Sequence, residues 1–430
     1  MKRRHFLAAS ALPLAGCDQP PHVEGDFVGV QHERGHLLRA SAWPAPSTTQ
    51  RTRVLIAGGG VAGLAAARAL RLRGIHDFTV LELEDTAGGN SRGGQVNGVP
   101  CPLGAHYLPV PGHNAEGARD VQDLLEELSL RQRVAGRWVY DERHLCHSPQ
   151  ERLFINGQWQ EGLLPLQDVD AQTLADYQRF ARLVQEASNA ARFTMPVSKV
   201  VLAPAHRALD AMTFEAWLDQ NQLGSPPLRW YLDYCCRDDY GAGLASVSAW
   251  AGLHYFASRH GFQAPGGQPS PAREAGVLTW PQGNGWLSQR LAEPLGERLQ
   301  AGRVVVRVAA GKHGVELDAF NTSTQAVERW QAEHCILALP LFVAVRVLEN
   351  PPPALQQAAA TLRYAPWLVA NLHIKAALHD RPGAAPSWDN VIYSDSANIQ
   401  GSLPGLGYVD AMHQSLQAVP GATVLTYYRA

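Results

Sequence analysis

Residues 53 to 63 read Arg-Val-Leu-Ile-Ala-Gly-Gly-Gly-Val-Ala-Gly, a short apolar run that turns through Gly58-x-Gly60-x-x-Gly63 into the helical stretch Leu64 to Leu72. Few sequence features constrain a fold so tightly. The first glycine permits a tight turn, the second lets a pyrophosphate approach the backbone, and the third lets helix and strand pack closely, so that phosphates meet a helix N-terminus. A second strand, Phe78-Thr-Val-Leu-Glu-Leu, follows and reaches Glu82, about 20 residues past the glycines, where a carboxylate can hydrogen-bond a ribose diol. Together these predict a βαβ unit built to hold a dinucleotide, with Gly58, Gly60, Val61, Ala62, Gly63, Glu82 and Leu83 around it.

Beyond Glu82 the chain continues Leu83-Glu84-Asp85-Thr86-Ala87-Gly88-Gly89-Asn90-Ser91-Arg92. Paired glycines bring backbone N–H groups to a ligand with no side chain in the way. This run resembles the FAD-holding segment of the flavin amine oxidases, phytoene desaturases and their relatives, with Asn90 where that superfamily commonly has Arg. The resemblance extends over most of the chain past residue 50. Pro102-Leu-Gly-Ala-His-Tyr107 resembles the segment that passes the flavin ring, and Pro281-Gln-Gly-Asn-Gly-Trp-Leu287 the loop opening a second cofactor-domain helix. Val304 to Val308 resembles the strand that meets the adenine through Val305, and Cys335-Ile-Leu-Ala-Leu-Pro340 the strand end where the chain leaves the cofactor domain.

The resemblance implies an α/β fold: a Rossmann-like FAD-binding domain of the GR2 type with an inserted α+β substrate domain. The cofactor domain is expected at 51–110 and 272–345, the substrate domain at 111–271 and 346–430. FAD would be held by the glycines and carboxylate already named, by Gly88, Gly89, Asn90 and Ser91, by Gly104, Ala105 and His106, and by Val305. The superfamily typically presents a Lys near the flavin N5. The matching place, near Ala370 in the strand-like Trp367 to Lys375, has none, and Lys375 lies farther along. His106, Trp367, Asn371 and Tyr240 are the side chains expected around the substrate.

The implied function is hydride transfer from a substrate C–N bond to FAD, as in an amine oxidase, with polyamines one substrate class. A desaturase or isomerase acting on an apolar isoprenoid or lipid, and a flavin-binding lipoprotein without turnover, are the alternatives. An acidic, aromatic-lined pocket would favour polyamines; a wide apolar tunnel would favour lipids. Oxygen or a quinone would reoxidise the flavin.

Length and composition agree with a large enzyme. The chain has 430 residues, 46% of them hydrophobic, enough for two cores, and its net charge of −2 gives no electrostatic reason for nucleic-acid binding. Met1-Lys2-Arg3-Arg4-His5-Phe6-Leu7 resembles a twin-arginine export signal, and Leu14-Ala15-Gly16-Cys17 a bacterial lipobox. Residues 1–17 are therefore expected to be a signal peptide ending in a lipidated Cys17, and 18–50 a linker with a short ordered piece at Phe27 to Leu38. The mature protein is expected on the periplasmic side of the cytoplasmic membrane. In the resembled family a final segment returns to close over the flavin. Here Ala422 to Ala430 reads as a substrate-domain strand, so the chain is expected to be a truncated form of a longer protein.

Other motifs yield less. Setting Cys17 aside leaves five of the six cysteines, an odd number with no regular disulfide framework. His144-Leu-Cys146-His147 lacks a second ligand pair at zinc spacing, so no metal is expected. Cys235-Cys236 reads as buried thiols in a helix. Gly89-x-Ser91-x-Gly93 matches a nucleophile elbow in letters only, lacking the strand and helix such an elbow needs.

Overall fold

The computed structural model describes residues 23–40, 42–111, 118–146, 150–259, 261–266, 276–394, 405–414 and 421–430. The expected export signal, the expected lipobox with Cys17, and His147 lie outside the described residues.

Every residue of strands Val54–Ala57 and Phe78–Leu81 is buried. They pair in parallel with each other, and Leu299–Gln300 and His334–Leu337 extend the sheet in parallel on either side. A parallel sheet needs both faces covered, and alternation along the strand supplies both. Val54 and Ile56 pack with Leu64 and Ala67 of helix Val61–Leu72. Leu55 and Ala57 face the other way, onto Val305, Leu317 and Trp330. Those residues belong to an antiparallel layer, Arg303–Gly311, Gly314–Asn321 and Ala326–Ala332, that covers the second face.

A separate six-stranded sheet runs in the order Gln158–Glu161, Glu151–Ile155, Asp389–Ile392, Tyr408–Asp410, Thr423–Arg429, Leu368–Ile374. Helices Ala171–Ala190, Phe214–Gln220, Pro226–Tyr240 and Ala249–Ala257 bury Phe180, Phe214, Leu232 and Leu253 against its Leu153, Val391, Val409 and Tyr428. Three of these helices begin on a side-chain cap: Asp170 accepts from the Thr173 N–H at 2.8 Å, Thr213 from Ala216 at 3.2 Å, and Ser248 from Ala251 at 3.2 Å. Each such cap is worth about 1 kcal/mol.

Helix Arg119–Glu127 ends where Ser129 takes φ 58°, a left-handed conformation. The stretch expected to be a linker holds helix His32–Leu37 inside its expected ordered piece, and beyond that piece a strand, Thr48–Arg51, paired in parallel with Ala326–Ala332. Cys101, Cys235, Cys236 and Cys335 are free thiols, Cys235 and Cys236 being buried in helix Pro226–Tyr240. No helix among the described residues is long and apolar enough to cross a membrane.

Candidate active site

Two cavities sit where these layers meet. The larger, about 940 Å³, is lined by Gly58, Gly60, Val61, Ala62, Glu82, Leu83, Gly89, Asn90 and Val305. Its floor is backbone. Gly58 adopts φ +102°, donates its N–H to the Leu81 carbonyl at 2.8 Å, and is packed so closely that a Cβ would stand 2.5 Å from the Ala338 carbonyl oxygen. A Cβ on Gly63 would run into the Gly58 carbonyl, which is how strand and helix come into contact here. Gly60 differs, for its added Cβ would meet nothing nearer than the Gly89 Cα at 3.8 Å. That open space beside a helix start, with φ −69° at Gly60, is where a phosphate needs bare backbone.

The paired glycines complete the cradle. Gly88 donates to the Gly59 carbonyl at 2.8 Å and pairs with Gly60 in a parallel bridge, while Gly89, at φ +57°, packs its Cα side against Gly60. Glu82 is buried at 7% exposure and accepts N–H bonds from Gly59 at 2.6 Å and Glu84 at 2.9 Å. Burial raises its pKa, and those two backbone donors oppose the rise. A carboxylate fixed in this way retains lone pairs for a ribose diol. Arg39, Arg303 and Arg346 add positive charge to the wall. A long cavity with bare backbone at its phosphate end and a carboxylate at its ribose end fits FAD.

Three more of the expected cofactor residues, Ser91, Gly104 and Ala105, brace the turn that carries Gly88 to Asn90. Ser91 donates to the Gly88 carbonyl at 2.9 Å, and Ala105 to the Asn90 carbonyl at 2.9 Å. A Cβ on Gly104 would strike that same Asn90 carbonyl. One residue escaped the sequence reading: Arg92 donates to the Gly89 carbonyl at 3.0 Å and pairs with Glu84 at 3.5 Å, locking the glycine turn to the ribose loop.

The smaller cavity, about 170 Å³, is lined by three acids, Glu151, Asp238 and Asp389, among Tyr107, Tyr234, Tyr255, Trp388 and His106. Glu151 and Asp389 are the first residues of adjacent parallel strands and stand directly across from one another. Asp238 comes from the last turn of helix Pro226–Tyr240, one turn beyond Tyr234, so both project from one helix face. Burial and then the neighbouring Asp239 and Glu151 push the Asp238 carboxyl up to about 7. Burial, with Glu151 and Asp238, also drives Asp389 well above the usual carboxylate range. The arginines that temper Asp238 are already engaged, Arg237 with Asp233 and Arg259 with Asp239, each at 2.8 Å.

His106 forms the aromatic wall. Its ring stacks on Tyr428 at 4.4 Å and lies 5.0 Å from Trp388. Burial lowers its pKa to about 3, against a hydrogen bond to the Gly104 backbone, so the ring is neutral at physiological pH. The other three side chains expected around the substrate do not line this cavity. Tyr240 donates its hydroxyl to the Ala251 carbonyl at 2.7 Å and braces two helices. Asn371 donates to the Pro102 carbonyl at 2.9 Å and accepts from Thr426 at 2.8 Å, tying the sheet to the segment before His106. Trp367 is 44% exposed beside Gly241. Lys375 is exposed just past the end of strand Leu368–Ile374. Among the described residues no cluster of His, Cys, Asp and Glu could hold a metal ion.

The family model described as flavin containing amine oxidoreductase matches residues 61–405. The chain is 30% identical over 155 residues to an L-amino acid dehydrogenase of Synechocystis sp., covering 36% of this chain and 30% of that protein. It is 23% identical over 362 residues to flavin-containing amine oxidase B of Bos taurus, covering 83% of this chain and 62% of the relative. It therefore spans less than two thirds of the length of these curated relatives. A solved putrescine oxidase bound to putrescine superposes with a TM-score of 0.64 at 17% identity, over 89% of this chain and 76% of that one, a likeness of fold.

Proposed function

The chain belongs to the flavin-containing amine oxidoreductase family, and on that premise we propose that it oxidises a small di- or polyamine, the acidic cavity being the substrate site. Its cofactor is FAD, which when bound supplies the acceptor for the two electrons removed from the C–N bond.

One observation carries the reading: Glu151, Asp238 and Asp389 converge on a cavity of about 170 Å³ walled by aromatic rings. Like charges placed opposite each other on paired strands destabilise a sheet. Acids in the last turn of a helix also oppose its dipole. A fold that tolerates both has a use for the negative charge, and a cation entering the cavity relieves both costs. Ammonium groups are held by carboxylates and by the faces of Tyr and Trp rings. Neutral His106 adds no charge to repel them. The cavity is smaller than the ~300–1,000 Å³ typical of drug-sized ligands, so it suits a short aliphatic chain rather than an isoprenoid.

The residues at the larger cavity have separate tasks. Gly58 to Gly63 and Gly88 to Gly89 offer backbone to the pyrophosphate, Glu82 takes the ribose, and Val305 contributes the apolar side of the adenine site. The acidic cavity orients the amine and excludes water from it. We further propose that the protein is exported, lipidated at Cys17 and held at the periplasmic face of the cytoplasmic membrane; Arg3-Arg4 and Leu14 to Cys17 support this.

Steady-state rates on 1,4-diaminobutane and on butylamine test the substrate reading. The diamine is expected to be preferred in kcat/KM by roughly a hundredfold, since a second buried ammonium–carboxylate contact is worth about 2–3 kcal/mol. Equal kcat/KM for the two would contradict it.

A further inference from the structure

The segment ahead of the parallel sheet has no evident reason to be ordered. Helix His32–Leu37 buries none of its own side chains and has no side-chain cap. Six residues are too few for a helix to persist alone in water. What holds it is the loop that follows the ribose carboxylate. The Gln31 backbone N–H donates to both carboxylate oxygens of Glu84 at 3.1 Å. Arg34 donates to the Leu83 carbonyl at 3.1 Å and pairs with Asp85 at 2.7 Å. Leu38 packs on the apolar cluster that contains Val305. Glu84 and Arg92 then connect this loop to the glycine turn.

Fixed this way, the helix presents one face to the larger cavity. His32, Gly35, His36 and Arg39, at three- and four-residue spacing, line it opposite Gly58, Gly60, Glu82 and Val305. His32, His36 and Arg39 are donor or cationic side chains facing a site for a dianionic pyrophosphate.

We propose that residues 29–39 are a wall of the FAD site, with His32, His36 and Arg39 facing the bound dinucleotide and Arg34 holding the wall to the ribose loop. This rests on the cofactor being FAD. The segment adds binding free energy that the βαβ unit alone does not supply, and FAD cannot leave until the Gln31 and Arg34 ties open. Arg34 is thus a positioning residue, while His36 and Arg39 act on the cofactor directly.

The test uses the full chain loaded with FAD, following the rise of flavin fluorescence as the cofactor is released on dilution. Arg34→Ala is expected to release FAD roughly tenfold faster through loss of a charge-assisted tie, with Arg34→Lys intermediate. The double variant His36→Ala, Arg39→Ala, which leaves the ties intact, is expected to do the same. Each stripped protein should melt at the wild-type temperature. Trypsin should cut at Arg34 and Arg39 more slowly in loaded than in stripped wild type. Release rates indistinguishable from wild type in both variants, or equal cleavage with and without FAD, would overturn the proposal. Wild type that binds no flavin would overturn the cofactor assignment with it.

Discussion

Glu151 and Asp389 occupy the same register position on neighbouring parallel strands, with Asp238 reaching in from the helix layer to complete an acidic cavity. Burial and their closeness favour the protonated forms of Asp238 and Asp389 in the empty protein. A cation of matching length favours the ionised forms instead, and this makes the cavity's chemistry testable by substitution.

Asp389→Asn keeps the shape and removes one charge. It is expected to raise KM for a diamine at least roughly tenfold while changing kcat less, because losing one partner of a buried charged contact costs about 2 kcal/mol or more. The ligand-free variant should melt above wild type at alkaline pH, a trade of function against stability common at such sites. A Michaelis constant unchanged by Asp389→Asn would remove the acid from the substrate site.

The pH dependence follows from Asp238, whose pKa rises from the ordinary 3.8 to about 7. In that window the folded carboxyl keeps a proton that the unfolded chain has lost, so this group's contribution to stability falls as pH rises from about 4 to about 7. A bound diamine, by favouring the ionised form, offsets the loss. Thermal melts should show a diamine stabilising the protein more above neutral pH than below it, and Asp238→Asn should flatten that difference. Protection independent of pH would count against an ionising Asp238 in the site.

Gly60→Ala separates folding from cofactor binding. Its Cβ has room in the ligand-free chain, and φ −69° suits alanine. The stripped variant should melt within about 1 kcal/mol of wild type, since the added Cβ neither clashes nor strains the backbone, yet retain little FAD. Gly63→Ala, driven into the Gly58 carbonyl, should fold poorly instead. If Gly60→Ala purifies with full flavin occupancy, the phosphates do not lie over Gly60.

What could be read from the sequence was mainly local. The strand, turn and helix around Gly58 to Gly63 and the carboxylate at Glu82 form one uninterrupted run, in which every glycine has a steric reason. Thr423–Arg429 as a strand of the substrate sheet was also legible, from an apolar, β-branched run. The acidic cavity was not, because Glu151 and Asp389 meet only through a strand pairing between distant parts of the chain. One local clue existed: Asp238-Asp239 in a helix's last turn before Gly241 has the wrong sign for the dipole. Tyr240 and Trp367 were singled out as aromatic residues, but nothing in their neighbours' identity shows which way a side chain turns. The helix at 32–37 has too weak a pattern of its own to reveal that Glu84 and Asp85 hold it.

Cys17→Ser should leave turnover in extracts intact and move the protein from the membrane fraction to the soluble periplasm, since a covalent lipid would be its tether. Fractionation after a salt wash checks this, and a Cys17→Ser protein still held by the membrane would contradict the anchor. Replacing Arg3 and Arg4 by Lys should leave the precursor in the cytoplasm.

The most direct test is anaerobic reduction of the FAD-loaded protein by a panel of amines and isoprenoids, read as bleaching of the flavin absorbance. Short diamines are predicted to bleach the flavin of wild type rapidly, and that of Asp389→Asn only at much higher concentration. Bleaching by an isoprenoid alone, or a flavin that no amine reduces, would contradict the assignment of the acidic cavity as an amine site.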